Sequence, residues 1–575
     1  MTNKEVADIF YQLADMLEIK GDIRYKIIAY RKAADGIAHE TRDLAEMRRQ
    51  GRLRTIPGIG EKIEAKIGEL LDTGKLRLHE ELKQEIPDGV LSLLSVPDVG
   101  PKTAWLIYQK LGIHSIPDLE QAARAGKLRT LPGLAAKSEE RILHGIEMLH
   151  RRSQRIPLGV ALPVAQELVA GLAACPQARQ VIAVGSLRRR KATVGDLDIM
   201  AASPQPQAVV DCFVGLPLVG EVVSHGDTKA TVILQDGVQA DLMVLPAEHY
   251  GSLLQHFTGS KEHNVHLREL ALSKGLSFSE YGYTRQDGSA ILCPAEEDVY
   301  RTIGLPWIPP ELREDSGEFE AAKAGRLPRL VDLEDIKGDL HCHSNWSDGA
   351  ASIEEMAQAA RARGYAYIAI TDHSKSLGIA HGLDEERLRE RQKEIAAVNA
   401  RLAPFRVLSG VEVDIKADAT LDLPDAVLAR LDVVVASVHS GFREDRERMT
   451  RRIIAAMRNP HVDIIGHPTG ILLGEREAYD VDFEALLAVA QETGTILEVN
   501  AMPNRLDLDD VHVRRAVERG VKLAISTDSH RSDGLATIVL GLGMARRGWA
   551  EARDVVNTMP LDELPIGDWR LPIAV

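Results

Sequence analysis

Gly185-Ser186-Leu187-Arg188-Arg189-Arg190-Lys191-Ala192-Thr193-Val194-Gly195-Asp196-Leu197-Asp198 carries more information than any other stretch of this chain. It follows an apolar run, Val181-Ile182-Ala183-Val184, that reads as a strand entering a tight turn. On a strand, alternate side chains share a face. Asp196 and Asp198 should therefore point one way and Leu197 the other, toward a core. Two carboxylates held side by side repel unless divalent cations lie between them. Backbone N–H groups at Gly185-Ser186, and the guanidinium groups that follow, suit a phosphate chain. A phosphate cradle beside a metal-holding acid pair is the apparatus of two-metal phosphoryl transfer.

A third acid stands further along. Thr231-Val232-Ile233-Leu234, a turn at Asp236-Gly237, and Val238-Gln239-Ala240-Asp241-Leu242-Met243-Val244 read as a β-hairpin. Asp241 interrupts its apolar run. Alone it reads equally well as a solvent-facing edge aspartate. Beside the other two acids it reads as a metal ligand, because convergent acids need a cation.

These segments resemble the family X DNA polymerases, nucleotidyltransferases that include eukaryotic polymerase beta. The resemblance implies that Asp196, Asp198 and Asp241 are catalytic and hold Mg²⁺ or Mn²⁺. It places Gly185, Ser186, Arg189 and Gly195 around the triphosphate of the incoming nucleotide. His256-Phe257-Thr258-Gly259-Ser260 is similar to the family's Tyr-Phe-Thr-Gly-Ser segment, which lies against the nucleotide sugar and base. His256 replaces the tyrosine, which bears on how ribonucleotides are rejected. Asn264 falls at the position that touches the nucleotide, and Arg268 at the position that touches the template strand. Lys261 is an extra cation there, read either as a nucleotide holder or as a solvated surface lysine.

The N-terminal third reads as a grip on DNA. Ile56-Pro57-Gly58-Ile59-Gly60 and Val96-Pro97-Asp98-Val99-Gly100-Pro101-Lys102 each open an amphipathic stretch. Both resemble helix-hairpin-helix motifs, in which glycine admits the nucleic-acid backbone and helix N–H groups meet a phosphate. The resemblance makes Gly58, Gly60, Gly100 and Lys102 DNA-binding, in contacts that position without reading sequence. Leu131-Pro132-Gly133-Leu134-Ala135 reads as a third, structural copy, with Ala135 where glycine belongs. Tyr30-Arg31-Lys32-Ala33-Ala34 and Thr73-Gly74-Lys75-Leu76-Arg77 resemble the small N-terminal domain of polymerase beta. Lys66 then falls on the family's Schiff-base lysine, which excises a 5′-deoxyribose phosphate; the alternative is a DNA-facing or solvated helix lysine.

A second constellation occupies the C-terminal region. Asp339-Leu340-His341-Cys342-His343, Asp348, Thr371-Asp372-His373, Gly410-Val411-Glu412, Ser437-Val438-His439, Gly466-His467 and Asp528-Ser529-His530 follow one another, most at the end of an apolar run. Strand-like runs alternate with helical segments, the pattern of an α/β barrel, whose strand C-terminal ends carry the chemistry. Imidazoles and carboxylates together suit Zn²⁺, Mn²⁺ or Fe²⁺. The pattern resembles the PHP (polymerase and histidinol phosphatase) domain, a metal-dependent phosphoesterase. The resemblance makes His341, His343, Asp348, His373, Glu412, His439, His467, Asp528 and His530 ligands of a metal cluster, with every expected position filled. Cys342 lies between two ligands, should face the opposite way and is not counted as a ligand. Asn500 and Arg505 are candidates for the substrate phosphate, against ordinary loop polarity.

The chain has 575 residues, enough for several domains, and a net charge of −15. That charge read alone argues against a nucleic-acid partner. The acid-rich metal sites account for part of it, and backbone N–H contacts to phosphate need no positive charge; salt dependence should be moderate. Four cysteines with no paired spacing indicate neither a disulfide framework nor a zinc finger. No signal core opens the chain and no apolar run reaches membrane-spanning length, so a cytoplasmic protein is expected.

The expected architecture is multidomain: α-helical helix-hairpin-helix domains, an α+β nucleotidyltransferase palm and thumb, and a C-terminal α/β distorted barrel. The boundaries expected are 1–80 (lyase-like), 81–153 (second helix-hairpin-helix), 154–248 (palm), 249–310 (nucleotide and template subdomain), 311–334 (linker) and 335–575 (PHP). The expected partners are gapped or primed DNA and deoxynucleoside triphosphates, with the protein a monomer. The expected function is short-gap filling in DNA repair, with a 3′–5′ exonuclease in the PHP domain that also serves abasic sites or blocked 3′ ends. The rivals are a template-independent nucleotidyltransferase and a DNA-end scaffold with structural metal sites.

Overall fold

The computed structural model describes residues 3–38, 44–56, 58–96, 99–152 and 155–566. Its contacts divide the chain into two units, Met1–Arg155 and Ile156–Val575.

Within its described residues the first unit contains helices and turns only. One apolar cluster, including Phe10, Leu13, Ile37, Ile67, Ile107 and Ile142, forms its core. Helices α1 (Glu61–Thr73), α2 (Pro101–Leu111) and α3 (Ala136–Arg152) each follow the same tight turn. In the three turns the N–H of Ile59, Val99 and Leu134 donates to the carbonyl of Ile56, Val96 and Leu131, at 3.2, 3.1 and 3.1 Å. Gly58 has φ +82°, and a Cβ there would lie 2.7 Å from the Lys32 carbonyl, so only glycine fits. Pro57, Pro97 and Asp98 of the two expected motifs lie outside the described residues. The third copy takes the same turn, with Gly133 at φ +83°.

The second unit begins with α4 (Leu158–Ala173) and a five-stranded sheet. The strands are β1 (Arg179–Ala183), β2 (Leu197–Ala202), β3 (Val219–His225), β4 (Lys229–Leu234) and β5 (Gln239–Leu245). Their order is β1-β2-β5-β4-β3. The expected hairpin is β4–β5, which is antiparallel, whereas β2 and β5 run parallel. Then come α5 (Tyr250–Thr258), α6 (Lys261–Ser273) and a small three-stranded antiparallel sheet.

Seven parallel strands close the unit: β6 (Gly338–Asp339), β7 (Tyr367–Ile370), β8 (Arg406–Asp414), β9 (Val433–Ser437), β10 (Ile464–Ile465), β11 (Ile496–Asn500) and β12 (Leu523–Ser526). They pair in sequence order. Their runs are buried on both faces and largely apolar, as parallel strands covered by helices require, with polar residues such as Glu412 and Glu498 among them. Beyond β6 and β12, the His343 N–H donates to the Ser529 carbonyl at 2.9 Å, so the ring nearly closes into a barrel. Leu340, Tyr367, Leu408, Val435, Ile464 and Ala524 fill one interior layer.

Two expectations are corrected. The stretch 311–334, expected as a linker, is folded. Leu312, Phe319 of α7 (Glu318–Lys323) and Leu330 are buried in the core that surrounds α6, and the Val331 N–H donates to the Ala550 carbonyl at 2.9 Å. Its proline and acid content supplies turns and ion pairs, and its few apolar residues are enough to anchor it. The cysteines also yield one disulfide, Cys175–Cys212, across 37 residues. The chain fold brings these two together, so their spacing carried no signal.

Candidate functional site

Two of the three acids expected at the polymerase site lie side by side on the neighbouring strands β2 and β5. Asp198 and Asp241 are register partners on these parallel strands, and Asp196 immediately precedes β2. Leu197 between the two is fully buried, as the strand period demands. Gly185 has φ +61°, and a Cβ on it would lie 2.0 Å from Asp198 Oδ2. The missing side chain is thus the seat of the Asp198 carboxylate. Asp241 Oδ1 accepts from the Thr231 hydroxyl at 2.5 Å and Oδ2 from the Gln239 amide at 2.6 Å. Asp198 and Asp241, paired in register with Asp198 seated in the space a Cβ would fill, are the donor type that divalent cations take.

The nucleotide-side residues are held by long-range contacts. Ser186 opens the short helix after Gly185 and is half-buried. Arg189 donates from Nε to Glu314 Oε1 at 2.9 Å and from Nη1 to the Thr258 carbonyl. Burial alone would raise the Glu314 carboxyl, but Arg547, Arg189 and Lys191 hold it far below the usual carboxylate range. Ser260 caps α6 by accepting from the His263 N–H at 3.2 Å. Asn264 donates to the His256 carbonyl at 2.7 Å and accepts from Gln255 at 2.8 Å, which fixes the 255–260 turn. His256 and Phe257 are half-buried, and burial pushes the His256 imidazole below its ordinary value. Lys261 is exposed, Gly195 is half-buried, and Arg268 donates to the Asn264 carbonyl at 3.1 Å. Arg188, Arg313 and Trp307 converge on Glu296, at 2.6–2.9 Å, and tie this turn to the chain around residue 300.

In the first unit, Gly60 and Gly100 are the N-caps of α1 and α2, and a Cβ on either would meet nothing within 4 Å. These glycines answer no steric need inside the protein; they leave two helix N-termini open to close approach. Lys102 is exposed on the first turn of α2, and Lys66 is half-buried on α1.

The barrel gathers its candidate ligands at the strand C-terminal ends. Among the described residues three groups can each hold a metal ion: His343 with Asp348, His373 and His530; His341 with His343 and Asp528; and His373 with Glu412 and His439. His467 joins through Glu412, its Nε2 lying 3.0 Å from Oε1. Cys342 belongs to none of the groups, and its Sγ lies 3.7 Å from the Thr527 hydroxyl. His341 Nε2, His373 Nδ1 and Glu412 Oε2 are buried and make no hydrogen bond of proper geometry, with Glu412 Oε2 lying 3.4 Å from His341 Nε2 and 2.7 Å from His373 Nδ1. Orphaned buried atoms of opposite character are what a cation between them would satisfy.

The electrostatics agree. Burial would raise the Glu412 carboxyl, but His439, His373 and His341 hold it well below the usual range. Burial pushes the His439 imidazole down, yet Glu412 and Asp414 lift it to about 10. Burial, with His373 and His530 alongside, presses the His343 imidazole down to about 4. One cluster therefore holds imidazoles driven in opposite directions.

A supporting shell surrounds these groups. Glu498, fully buried on β11, takes His341 Nδ1 at 2.7 Å and the His467 N–H at 2.6 Å. Asp414 takes His439 Nδ1 at 3.0 Å. Such carboxylates fix which imidazole nitrogen faces a metal. Asn500, a candidate phosphate ligand, is instead fully buried and donates to Glu498 and Asp528, both at 3.1 Å. Its amide is thus committed to Glu498 and to Asp528, one of the candidate ligands. Arg505 keeps its place as a candidate: its buried Nε and Nη1 make no hydrogen bond, and Nε lies 3.8 Å from Asp528 Oδ2.

Comparison with known proteins adds the family. Residues 1–76 match a helix-hairpin-helix domain, 90–147 a SAM-like helix-hairpin-helix tandem, 253–314 the DNA polymerase beta thumb and 339–502 the PHP domain. The DNA polymerase/3′-5′ exonuclease PolX of Bacillus subtilis (strain 168) is 41% identical over 567 residues, 98% of this chain and 99% of that protein. The chain belongs to the family X DNA polymerases. It is of the PolX-like form, with N-terminal helix-hairpin-helix regions and a C-terminal PHP domain. DNA polymerase lambda of Rattus norvegicus is 26% identical over 344 residues, 54% of this chain and 56% of that protein. A probable phosphatase of Thermoanaerobacter sp. (strain X514) is 36% identical over 232 residues, 38% of this chain and 89% of that protein. This family X polymerase thus carries a metal-binding PHP barrel of the phosphoesterase kind. Among its described residues no helix is long and apolar enough to cross a membrane.

Several site residues had no reading as such in the sequence. Glu498 and Asp414 stand two residues from Asn500 and Glu412 on their strands, and the strand period puts each pair on one face. That spacing was the available signal. Glu296 reaches Arg188, and Glu314 reaches Arg189 and Arg547, across more than a hundred residues, and these contacts left none.

Proposed function

We propose that the protein fills short gaps in DNA during repair, copying a template strand, and trims 3′ ends with its PHP domain as a 3′–5′ exonuclease that also serves abasic sites or blocked ends. The observation that carries the polymerase half is the register of Asp198 beside Asp241, with Asp198 seated on Gly185. Mg²⁺ or Mn²⁺ held by Asp196, Asp198 and Asp241 supplies Lewis acidity to nucleotidyl transfer. Thr231 and Gln239 fix the rotamer of Asp241, the carboxylate that faces the primer 3′-OH and favours its loss of a proton. Ser186 and Arg189, with the backbone at Gly185 and Gly195, take the triphosphate. His256, Phe257, Gly259, Ser260 and Asn264 shape the sugar and base side, Lys261 holds a nucleotide before DNA arrives, and Arg268 meets the template. Gly58, Gly60, Gly100 and Lys102 hold the DNA backbone, and Lys66 is the lyase amine.

In the PHP barrel, Zn²⁺, Mn²⁺ or Fe²⁺ held by the nine ligands supplies an activated water and charge neutralisation for phosphodiester cleavage. Arg505 binds the phosphate that is cut, since its orphaned donors need an anion. The enzyme works as a monomer in the cytoplasm, on gapped or primed DNA.

A 5′-labelled primer on a gapped duplex tests both halves in one gel, with Mg²⁺ or Mn²⁺, with and without deoxynucleotides. Template-directed lengthening with nucleotides and shortening without them are expected, and His343→Ala should abolish the shortening alone. A primer that never lengthens sinks the polymerase half. Shortening that survives His343→Ala sinks the assignment of the exonuclease to the barrel.

A further inference from the structure

Arg547 ends α9 (Ile538–Arg547), a helix of the PHP domain, yet its side chain serves the polymerase loop. Only 2% of that side chain is exposed. Nη1 donates to the Arg189 carbonyl at 2.8 Å and to Glu314 Oε1 at 2.9 Å, and Nη2 donates to Asp510 on α8 (Asp510–Arg519). Glu314 Oε1 also accepts from Arg189 Nε, and its Oε2 lies 3.3 Å from Lys191 Nζ. One buried carboxylate is therefore shared by a PHP arginine and two cations of the 185–191 loop.

The packing makes this arrangement rigid. A Cβ at Gly543 of α9 would lie 3.0 Å from Arg190 Cβ, so the loop rests directly on the helix. A Cβ at Gly259 would lie 3.0 Å from Arg189 Nη1, so the guanidinium is confined from its other side as well. A Cβ at Gly159, on α4, would lie 2.4 Å from Pro503 Cβ, a second direct seat of the palm on the barrel loops.

We propose that Arg547 is a positioning residue of the polymerase site: by holding Glu314 and the Arg189 carbonyl, it presents the Arg189 guanidinium in one orientation to the triphosphate of the incoming nucleotide. This rests on the reading that Arg189 binds that triphosphate. Without Arg547, Glu314 keeps only Arg189 and Lys191 as cationic partners, and the Arg189 carbonyl loses its donor. The Arg189 guanidinium is then held by its carboxylate in a shifted orientation. Misplacing a group that binds substrate weakens substrate binding first.

The test uses the full chain. Steady-state single-nucleotide insertion and 3′–5′ shortening are measured on one preparation of wild type, Arg547→Met and Arg547→Lys. For Arg547→Met, the nucleotide KM should rise about tenfold while kcat and the shortening rate stay within about threefold of wild type. Arg547→Lys, which keeps the charge and part of the donor set, should recover a share of the KM. An unchanged nucleotide KM overturns the inference, as does a joint fall of kcat, insertion and shortening, which marks general loosening of the fold. Should Arg547→Met not fold, Arg547→Lys decides alone: a raised KM supports the inference and an unchanged one overturns it. A wild-type chain that extends no primer removes the reading beneath it and the inference together, and is told apart by that control.

Discussion

Replacing Gly185 with alanine tests the polymerase site at its most constrained contact. The new Cβ would lie 2.0 Å from Asp198 Oδ2 and 2.9 Å from its Cγ, where ordinary contact begins at 3.4 Å. The carboxylate, or the loop that carries Gly185, must therefore move by about 1 Å or more, and a displacement of that size in a reacting constellation costs roughly 100-fold in rate. The backbone adds a smaller cost, because φ at this position is +61°. An alanine held in that left-handed region costs about 1–2 kcal/mol, too little to unfold a domain of ordinary stability. Gly185→Ala should thus lower single-nucleotide insertion by about two orders of magnitude or more while the protein still melts cooperatively. Shortening of a 3′ end by the same preparation should be unchanged, since every PHP ligand lies elsewhere. The assay is insertion at saturating nucleotide, with the exonuclease as internal control. Insertion within about threefold of wild type would refute the argument that Asp198 is seated on Gly185.

Two further tests probe the buried support. Glu498→Gln keeps the volume but loses the charge that faces His341 Nδ1 and the His467 N–H, so metal affinity of the PHP cluster should fall about 10–100-fold in a chelator competition, with insertion untouched; an unchanged affinity counts against the supporting role. Glu318, fully buried beside His263, has its carboxyl lifted by burial from 4.5 to about 8, whereas burial presses the His263 imidazole well below 6.5. The raised acid favours the folded state at low pH and loses that contribution as pH rises from 4.5 to 8, while the lowered histidine acts in the opposite sense below 6.5. The two slopes oppose below 6.5, so the net loss of stability falls between pH 6.5 and 8. Melting temperature against pH should decline across that window in wild type and flatten in Glu318→Gln; parallel curves would exclude the buried acid as the cause.

The parts that could be read from the sequence have a common character. Asp241 stood out because it broke an apolar run, and the barrel histidines because most of them followed one. Those are local signals, and the strands formed where the runs predicted them. The residues that escaped belong to contacts between distant segments. Glu296 meets Arg188 across 108 positions and Glu314 meets Arg189 across 125. Glu498 and Asp414 had a local signal in their two-residue spacing, but what their carboxylates face, His341 and His439, lies on other segments. That the stretch 311–334 is folded escaped for a related reason: its composition is that of a connector, and the burial of Phe319 and Leu330 depends on a core assembled by other segments.

That stretch bears on how the two catalytic halves of this enzyme can be inherited. Its N-terminal end carries Glu311 and Glu314, which pair with Arg546 and Arg547 of the barrel, and its C-terminal end reaches Ala550 through Val331. Between them, Phe319 stacks on His263 of α6. The polypeptide thus crosses between the halves as a seam stitched from both sides. A lineage that discarded the barrel would have to rebuild the face on which the 185–191 loop rests, and one that acquired it would have to evolve both sides of the seam together. A change on either side of the seam is therefore felt on the other, because Glu314 is shared by Arg547 of the barrel and Arg189 of the 185–191 loop.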